Sequence, residues 1–252
     1  MARQKLGQHF LNHGSILERI AAAVCPQREE LVVEIGPGRG ALTEKLLKRA
    51  ERVVAVELDI DLVDYLRLKF AGEARLEIIH ADALTTDLSR WTPAPIVGNL
   101  PYYAATPIIG RSVRLGSSRA VFLIQKEVAD RLVAQPGARE YGYLTVSTRL
   151  FADARLLFGV KPGAFHPPPK VDSAVVMLTP IAEPWAVDDP EAFLRFVGYS
   201  FQYKRKTLRN NLAEIYGKET LEAWPEAGLR AEQITMANFV EMYRRLRSAY
   251  VQ

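Results

Sequence analysis

Hydrophobic residues along this chain fall into short continuous runs, separated by stretches in which they recur every three or four positions. The runs are Leu31-Val32-Val33-Glu34-Ile35, Arg52-Val53-Val54-Ala55-Val56, residues 76–79, Pro95-Ile96-Val97-Gly98 and Ala120-Val121-Phe122-Leu123-Ile124. Runs this short and this apolar predict strands buried on both faces, the pattern of a parallel sheet. Between them, residues 41–49 predict an amphipathic helix. Upstream, Ser15-Ile16-Leu17-Glu18 reads as a capping box opening a helix through about Val24, with Pro26 marking its exit. A helix begins near Lys126 and breaks at Pro136-Gly137, and another covers residues 144–150. Residues 154–160 and 174–178 predict two late strands joined by a proline-rich loop, suited to antiparallel pairing at a sheet edge. Composition shifts around Pro180-Ile181-Ala182-Glu183-Pro184, which marks a linker. Beyond it, residues 193–201, 206–215 and 237–246 predict helices, with Gly217 and Gly228 as stops. The expected organisation is an α/β domain over residues 1–182 and a small all-helical domain over residues 183–252.

Composition narrows the class. The chain has 252 residues, 48% of them hydrophobic and 25% charged, as in an ordinary soluble protein. No apolar run approaches the length of a membrane span, and the first residues lack a signal-peptide core. The single cysteine, Cys25, excludes an internal disulfide framework and fits a reducing cytoplasm, the expected location. Four histidines and that one cysteine give no metal site: His9 and His13 have i,i+4 spacing, but no Glu follows His9. The net charge of +4 is uneven. Residues 1–98 carry 13 basic and 14 acidic groups, residues 99–184 carry 10 and 6, and residues 185–252 carry 10 and 9.

Two segments carry chemistry. The first strand runs into Gly36-Pro37-Gly38-Arg39-Gly40, where glycines let a ligand approach the backbone. The spacing is G-x-G-x-G rather than the G-x-G-x-x-G of dinucleotide sites, and Pro37 stiffens the loop, so NAD is the weaker reading. Glu57 ends the second strand about twenty residues on, where a carboxylate accepts from the ribose hydroxyls of an adenosine. Asp82 follows the third strand, placed either to read an adenine amino group or to cap the turn before Ala83-Leu84. The second segment is Asn99-Leu100-Pro101-Tyr102, at the carboxyl end of its strand. The Asn99 side-chain oxygen and the Leu100 carbonyl are two acceptors for the exocyclic amine of a flat base. Pro101 holds Leu100 extended, and Tyr102 offers a ring to stack on the base. A tight turn ending a strand is the plainer alternative for this tetrapeptide.

Together these segments resemble the small-subunit ribosomal RNA adenine N6,N6-dimethyltransferases of the KsgA/RsmA family, over nearly the whole chain. Gly7-Gln8-His9-Phe10-Leu11 resembles the family's amino-terminal signature and residues 34–38 its cofactor loop. Glu57 and Asp82 match its next carboxylates, and residues 99–102 its target-amine motif. Phe165-His166-Pro167-Pro168-Pro169-Lys170-Val171-Asp172-Ser173-Ala174 matches a late segment, and residues 201–212 resemble its basic stretch. The resemblance implies a Rossmann-like S-adenosylmethionine-dependent methyltransferase domain with a helical rRNA-binding domain. It implies S-adenosylmethionine as cofactor, held by His9, Leu11, Gly36, Gly38, Glu57, Asp82 and Asn99. His9 is a mild departure where many relatives have Asn.

Phe165, preceding three prolines, is expected over one face of the target adenine with Tyr102 over the other, buried core being the alternative for Phe165. Lys170 is expected to hold a phosphate, while Asp172 and Ser173 satisfy backbone groups at the next strand's start. Lys204, Arg205, Lys206 and Arg209 are expected on RNA, against the alternative of a solvated helix face, and Phe201 is expected in the core. The implied partner is 16S rRNA within the immature 30S subunit, met by a monomer with neither DNA nor membrane involved. Competing functions are a large-subunit (23S) rRNA dimethyltransferase conferring macrolide resistance, a DNA adenine methyltransferase, and a ribosome-assembly checkpoint factor in which methylation is secondary.

Overall fold

A computed structural model describes residues 9–250, without the side chains of the last two. Gly7 and Gln8 of the amino-terminal signature lie outside the described residues. In chain order the elements are β1 (Phe10–Leu11), α1 (Gly14–Val24), β2 (Glu29–Ile35), α2 (Thr43–Leu46), β3 (Ala50–Glu57), α3 (Ile60–Lys69), β4 (Leu76–His80), β5 (Ile96–Asn99), α4 (Ala105–Arg114) and β6 (Ala120–Gln125). They continue as α5 (Lys126–Val133), α6 (Tyr143–Arg149), β7 (Ala152–Val160), β8 (Phe165–His166), β9 (Ser173–Pro180), α7 (Pro190–Ser200), α8 (Leu208–Tyr216), α9 (Lys218–Glu222) and α10 (Met236–Tyr250).

Seven strands form one sheet in the order β4-β3-β2-β5-β6-β9-β7. The strands from β4 through β6 are parallel to their neighbours, and β9 runs antiparallel to β6. The apolar runs explain the centre of this sheet: Val32, Val33, Val53, Val54, Val97, Val121 and Phe122 are all essentially inaccessible to water. Each such side chain is worth roughly 1.5–3 kcal/mol of hydrophobic stabilisation. Chain order reverses between β2 and β5, and ligands of open α/β sheets bind outside the carboxyl ends of strands at such a point. A second, two-stranded sheet pairs β1 with β8 antiparallel, Leu11 opposite Phe165.

Contacts group the chain into two compact units, residues 1–129 with 153–180 and residues 130–152 with 181–252. The unit boundary near residue 180 falls at the composition shift, but residues 130–152 pack with the C-terminal helices instead of with the sheet. Leu150, Val146 and Tyr141 join Phe193, Phe196, Leu212 and Phe239 in that unit's core. Its turn from α7 to α8 is locked by the buried Asn211. The Asn211 amide donates to the Ser200 and Tyr203 carbonyls, and its oxygen accepts from the Tyr203 N–H.

Four local expectations need correction. The helix over residues 41–49 shrinks to α2, because its N–H groups alternate between partners four and three residues back, as in Leu46 to Leu42 and Arg49 to Leu46. The capping box at Ser15 does not form: His13 is the N-cap without a side-chain cap bond, and the Ser15 hydroxyl meets His13 Nδ1 at 3.1 Å. Gly228 stops no helix, since α9 has already ended and Gly228 lies in a turn. Asp172 turns its carboxylate to Lys161 Nζ at 2.6 Å, while its backbone carbonyl accepts from Lys126 N–H.

Candidate active site

A cleft opens at the carboxyl ends of β2, β3, β4 and β5, and residues from all four strands' ends line it. Its lining includes His9, Leu11, Gly36, Gly38, Glu57 and Asp82 of the expected cofactor set, together with Asn99, Leu100, Pro101, Tyr102 and Phe165. Residues so far apart in sequence meet because the parallel strands deliver their ends to one side of the sheet. Lys170, Lys204, Arg205, Lys206 and Arg209 are not in the lining; all five are exposed.

The glycine loop is shaped by backbone geometry. Gly36, Gly38 and Gly40 all have positive φ, +67°, +57° and +76°. They serve different ends. A Cβ on Gly38 would sit 3.1 Å from the Phe10 ring, so this glycine lets β1 close over the cleft. A Cβ on Gly40 would sit 2.6 Å from the Phe70 ring, which makes Gly40 a packing position behind the loop.

Glu57 is buried, and three backbone N–H groups converge on its carboxylate: Gly38 at 3.1 Å, Leu58 at 2.9 Å and Asp59 at 3.0 Å. Burial raises its pKa and the three hydrogen bonds oppose that rise. A carboxylate has about four acceptor positions. Three are spent, so the fourth is what remains for a hydroxyl. Asp82 caps the turn, one oxygen accepting from Leu84 N–H at 2.8 Å, and the residue also lines the cleft. Arg111 of α4 holds the same turn by donating to the Leu84 and Thr86 carbonyls. Behind the loop, the fully buried Glu34 accepts from the Thr43 hydroxyl at 2.6 Å, and burial raises its pKa to about 7.

At the end of β5, the Asn99 amide donates from Nδ2 to the His9 carbonyl at 3.0 Å. A carbonyl can only accept, so this contact fixes the amide orientation and leaves Oδ1 as the acceptor. His9 is fixed in turn by Nδ1, which donates to the Pro167 carbonyl at 2.8 Å and therefore carries the ring proton. Tyr102 is 38% exposed, tilted against His9 with ring centroids 5.8 Å apart, and its phenol bonds to the Ser173 and Gln125 side chains. Ser173 thus serves Tyr102 in addition to opening β9. Phe165 is only 6% exposed and packs in the core beside Leu11 and Leu17, reaching the cleft from within it.

Sequence reading missed Phe10 as a wall, Arg111 as the clamp of the Asp82 turn, and Tyr103, which is 60% exposed on the cleft rim. The only sequence signal for Tyr103 was its place directly after Tyr102. In the helical unit, Phe201 packs against Tyr141 and Phe239, as expected of a core ring, whereas Tyr203 is 57% exposed. Lys204 Nζ donates to the Arg139 carbonyl. Among the described residues, no carboxylate pairs with Lys204, Arg205, Lys206 or Arg209.

A family model described as ribosomal RNA adenine dimethylase matches residues 1–248. The chain is 41% identical to the ribosomal RNA small subunit methyltransferase A of Pseudomonas aeruginosa, covering 97% of this chain and 94% of that one. It is 42% identical to the protein of that name from Marinobacter nauticus, over 96% and 90%. Among solved structures, a dimethyladenosine transferase from Plasmodium falciparum superposes with a TM-score of 0.82 at 25% identity, covering 95% and 98%. The 23S rRNA methyltransferase ErmE superposes with 0.74 at 27% identity, covering 94% and 99%.

Proposed function

We infer the reaction from one premise: the chain belongs to the ribosomal RNA adenine dimethylase family. It is an S-adenosylmethionine-dependent rRNA adenine dimethyltransferase. The residues present suit that cofactor. The glycine loop lines the cleft, Glu57 retains an acceptor position for a ribose hydroxyl, and Asp82 lies beyond it for an adenine amine. Bound S-adenosylmethionine supplies an electrophilic methyl group.

The chain's own residues handle the acceptor. The amine lone pair of adenine is delocalised into the ring, so the site must draw the nitrogen towards tetrahedral geometry. Asn99 Oδ1 and the Leu100 carbonyl accept the two amine hydrogens. The first of these carries the proposal, because the His9 carbonyl leaves that oxygen no other orientation. Tyr102 offers an accessible face for stacking, and Phe165 supports the site from the core. Positioning and exclusion of water supply the acceleration, and no covalent enzyme intermediate is needed. The second methyl transfer requires the site to accept an amine with one remaining hydrogen, which leaves one of the two acceptors without its partner. To enter the cleft the adenine must leave its stack, which costs least in a loop or single strand.

The substrate proposed is 16S rRNA within an immature small ribosomal subunit, met by a monomer in the cytoplasm. Support comes from relatives named for the small subunit at 41–42% identity, against 27% for the 23S enzyme. The exposed cations Lys204, Arg205, Lys206 and Arg209 suit phosphate contacts from the helical domain, and Lys170 from the methyltransferase domain. The test is to incubate the protein with methyl-labelled cofactor and unmodified small and large subunits, then locate N6-dimethyladenosine by mass spectrometry. Label in small-subunit rRNA supports the proposal. Label confined to the large subunit overturns it.

A further inference from the structure

The consecutive residues Tyr102 and Tyr103 divide the cleft between them. Tyr102 bonds to Gln125 at the carboxyl end of β6 and to Ser173 at the start of the antiparallel β9, so its partners lie on the far side of β5 from β2. Tyr103 lines the same cleft, yet its phenol feels the carboxylates of Asp82 and Glu57, which follow β4 and end β3. Burial first, and those two charges second, hold that phenol above its ordinary pKa range. In the strand order β4-β3-β2-β5-β6-β9-β7, both tyrosines line the cleft from one turn beyond β5, with the phenol partners of Tyr102 on β6 and β9 and the charges acting on Tyr103 at the ends of β3 and β4. The turn itself explains the divergence. Pro101 accepts at its carbonyl from both Ala104 and Ala105 N–H groups, so the chain bends into α4 at once and successive side chains leave in different directions.

We propose that Tyr103 is a cofactor-side cover, closing over the adenosine end of the methyl donor along the Glu57–Asp82 edge, while Tyr102 serves the target base. The inference rests on the methyltransferase reading above. Its ring is 60% exposed, an apolar surface that a bound nucleoside would remove from water. The methyl donor and its demethylated product carry the same adenosine, so such a cover holds both alike.

The test is calorimetry of the full chain, without RNA, titrated with S-adenosylmethionine and separately with S-adenosylhomocysteine. Tyr103→Ala is expected to weaken both by about tenfold, the size of one base–aromatic contact. Tyr103→Phe should stay within about twofold of wild type, and Tyr103→Leu should fall between them. Nitration of Tyr103 by tetranitromethane, read by peptide mass, should slow when S-adenosylhomocysteine is bound. Wild-type cofactor affinity in all three variants, with nitration unaffected, overturns the cover. Unchanged cofactor affinity with a raised RNA KM would assign Tyr103 to the target base instead. Failure of the wild-type protein to bind either compound would remove the methyltransferase reading itself.

Discussion

Glu34→Gln should change how the stability of the sheet domain depends on pH, by an amount the structure sets. Glu34 is 2% exposed and its pKa is raised from 4.5 to about 7, mainly by burial, with the nearby Glu57 charge adding to the rise and the Thr43 hydrogen bond opposing it. The folded state therefore binds this proton more tightly than the unfolded state. A raised carboxyl pKa makes folding more favourable at low pH and less favourable as pH climbs from about 4.5 to about 7. At about 1.4 kcal/mol per pKa unit, the cost is about 1 kcal/mol at pH 5.5 and about 3 kcal/mol at pH 8. Glutamine carries no charge, and its oxygen can still accept from the Thr43 hydroxyl. Any cost of placing the extra N–H groups is independent of pH and cancels in the comparison. The variant should thus gain about 2 kcal/mol on wild type between pH 5.5 and pH 8. Urea unfolding followed by Trp91 fluorescence, with Trp185 and Trp224 replaced by Phe, isolates the unit in question. Wild-type and variant stabilities that run parallel across this range would show that folding leaves the proton affinity of Glu34 unaltered.

Three further outcomes follow from the site. Glu57→Gln and Glu57→Ala should weaken S-adenosylmethionine binding by calorimetry, the alanine by about 1.5–3 kcal/mol, and equal affinity in a folded Ala variant would remove Glu57 from the site. Asn99→Ala should lower methyl transfer by on the order of a hundredfold at saturating cofactor; a defect that vanishes at high cofactor would leave Asn99 a donor-binding residue only. Neutralising Lys204, Arg205, Lys206 and Arg209 together should weaken binding to small subunits and flatten its salt dependence, by about 0.7 to 0.9 in log–log slope per lost phosphate contact. An unchanged slope would move the RNA contact to other basic residues.

The strands were legible because a strand covered on both faces must be apolar nearly throughout, as Val53-Val54-Ala55-Val56 is, and few other local structures tolerate such a run. Their carboxyl-end residues were legible as cleft positions for the same reason, since a lone Glu57 or Asn99 closing an apolar run stands where the parallel strands deliver their ends. What stayed hidden depended on partners distant in sequence. The pairing of Phe10–Leu11 with Phe165–His166 joins two-residue segments about 155 positions apart, too short to show periodicity. The packing of residues 130–152 with the C-terminal helices was hidden likewise, because Tyr141 and Val146 look equally apolar whichever core receives them. Asp82 was ambiguous between cap and ligand because a carboxylate has oxygens enough for both, and the cap uses one of them.

The amide of Asn99 is oriented from far outside its own motif. Nothing within Asn99-Leu100-Pro101-Tyr102 determines which way the amide turns, because oxygen and nitrogen are nearly isosteric. The His9 carbonyl determines it, by offering only a lone pair. That carbonyl is held in place because its own ring is anchored to Pro167 and the next two residues pair with β8. Pro167 and β8 in turn belong to the loop between β7 and β9, which ends at Ser173, the partner of the Tyr102 phenol. Residues 9, 99, 102, 167 and 173 are therefore tied together by hydrogen bonds and by the two chain segments that join them, beside the cleft. The motif supplies an amide oxygen, and these contacts aim it. A substitution in the amino-terminal strap or the proline-rich loop can thus disturb methyl transfer without touching base or cofactor, which is a physical reason for these three separated segments to occur together in one chain.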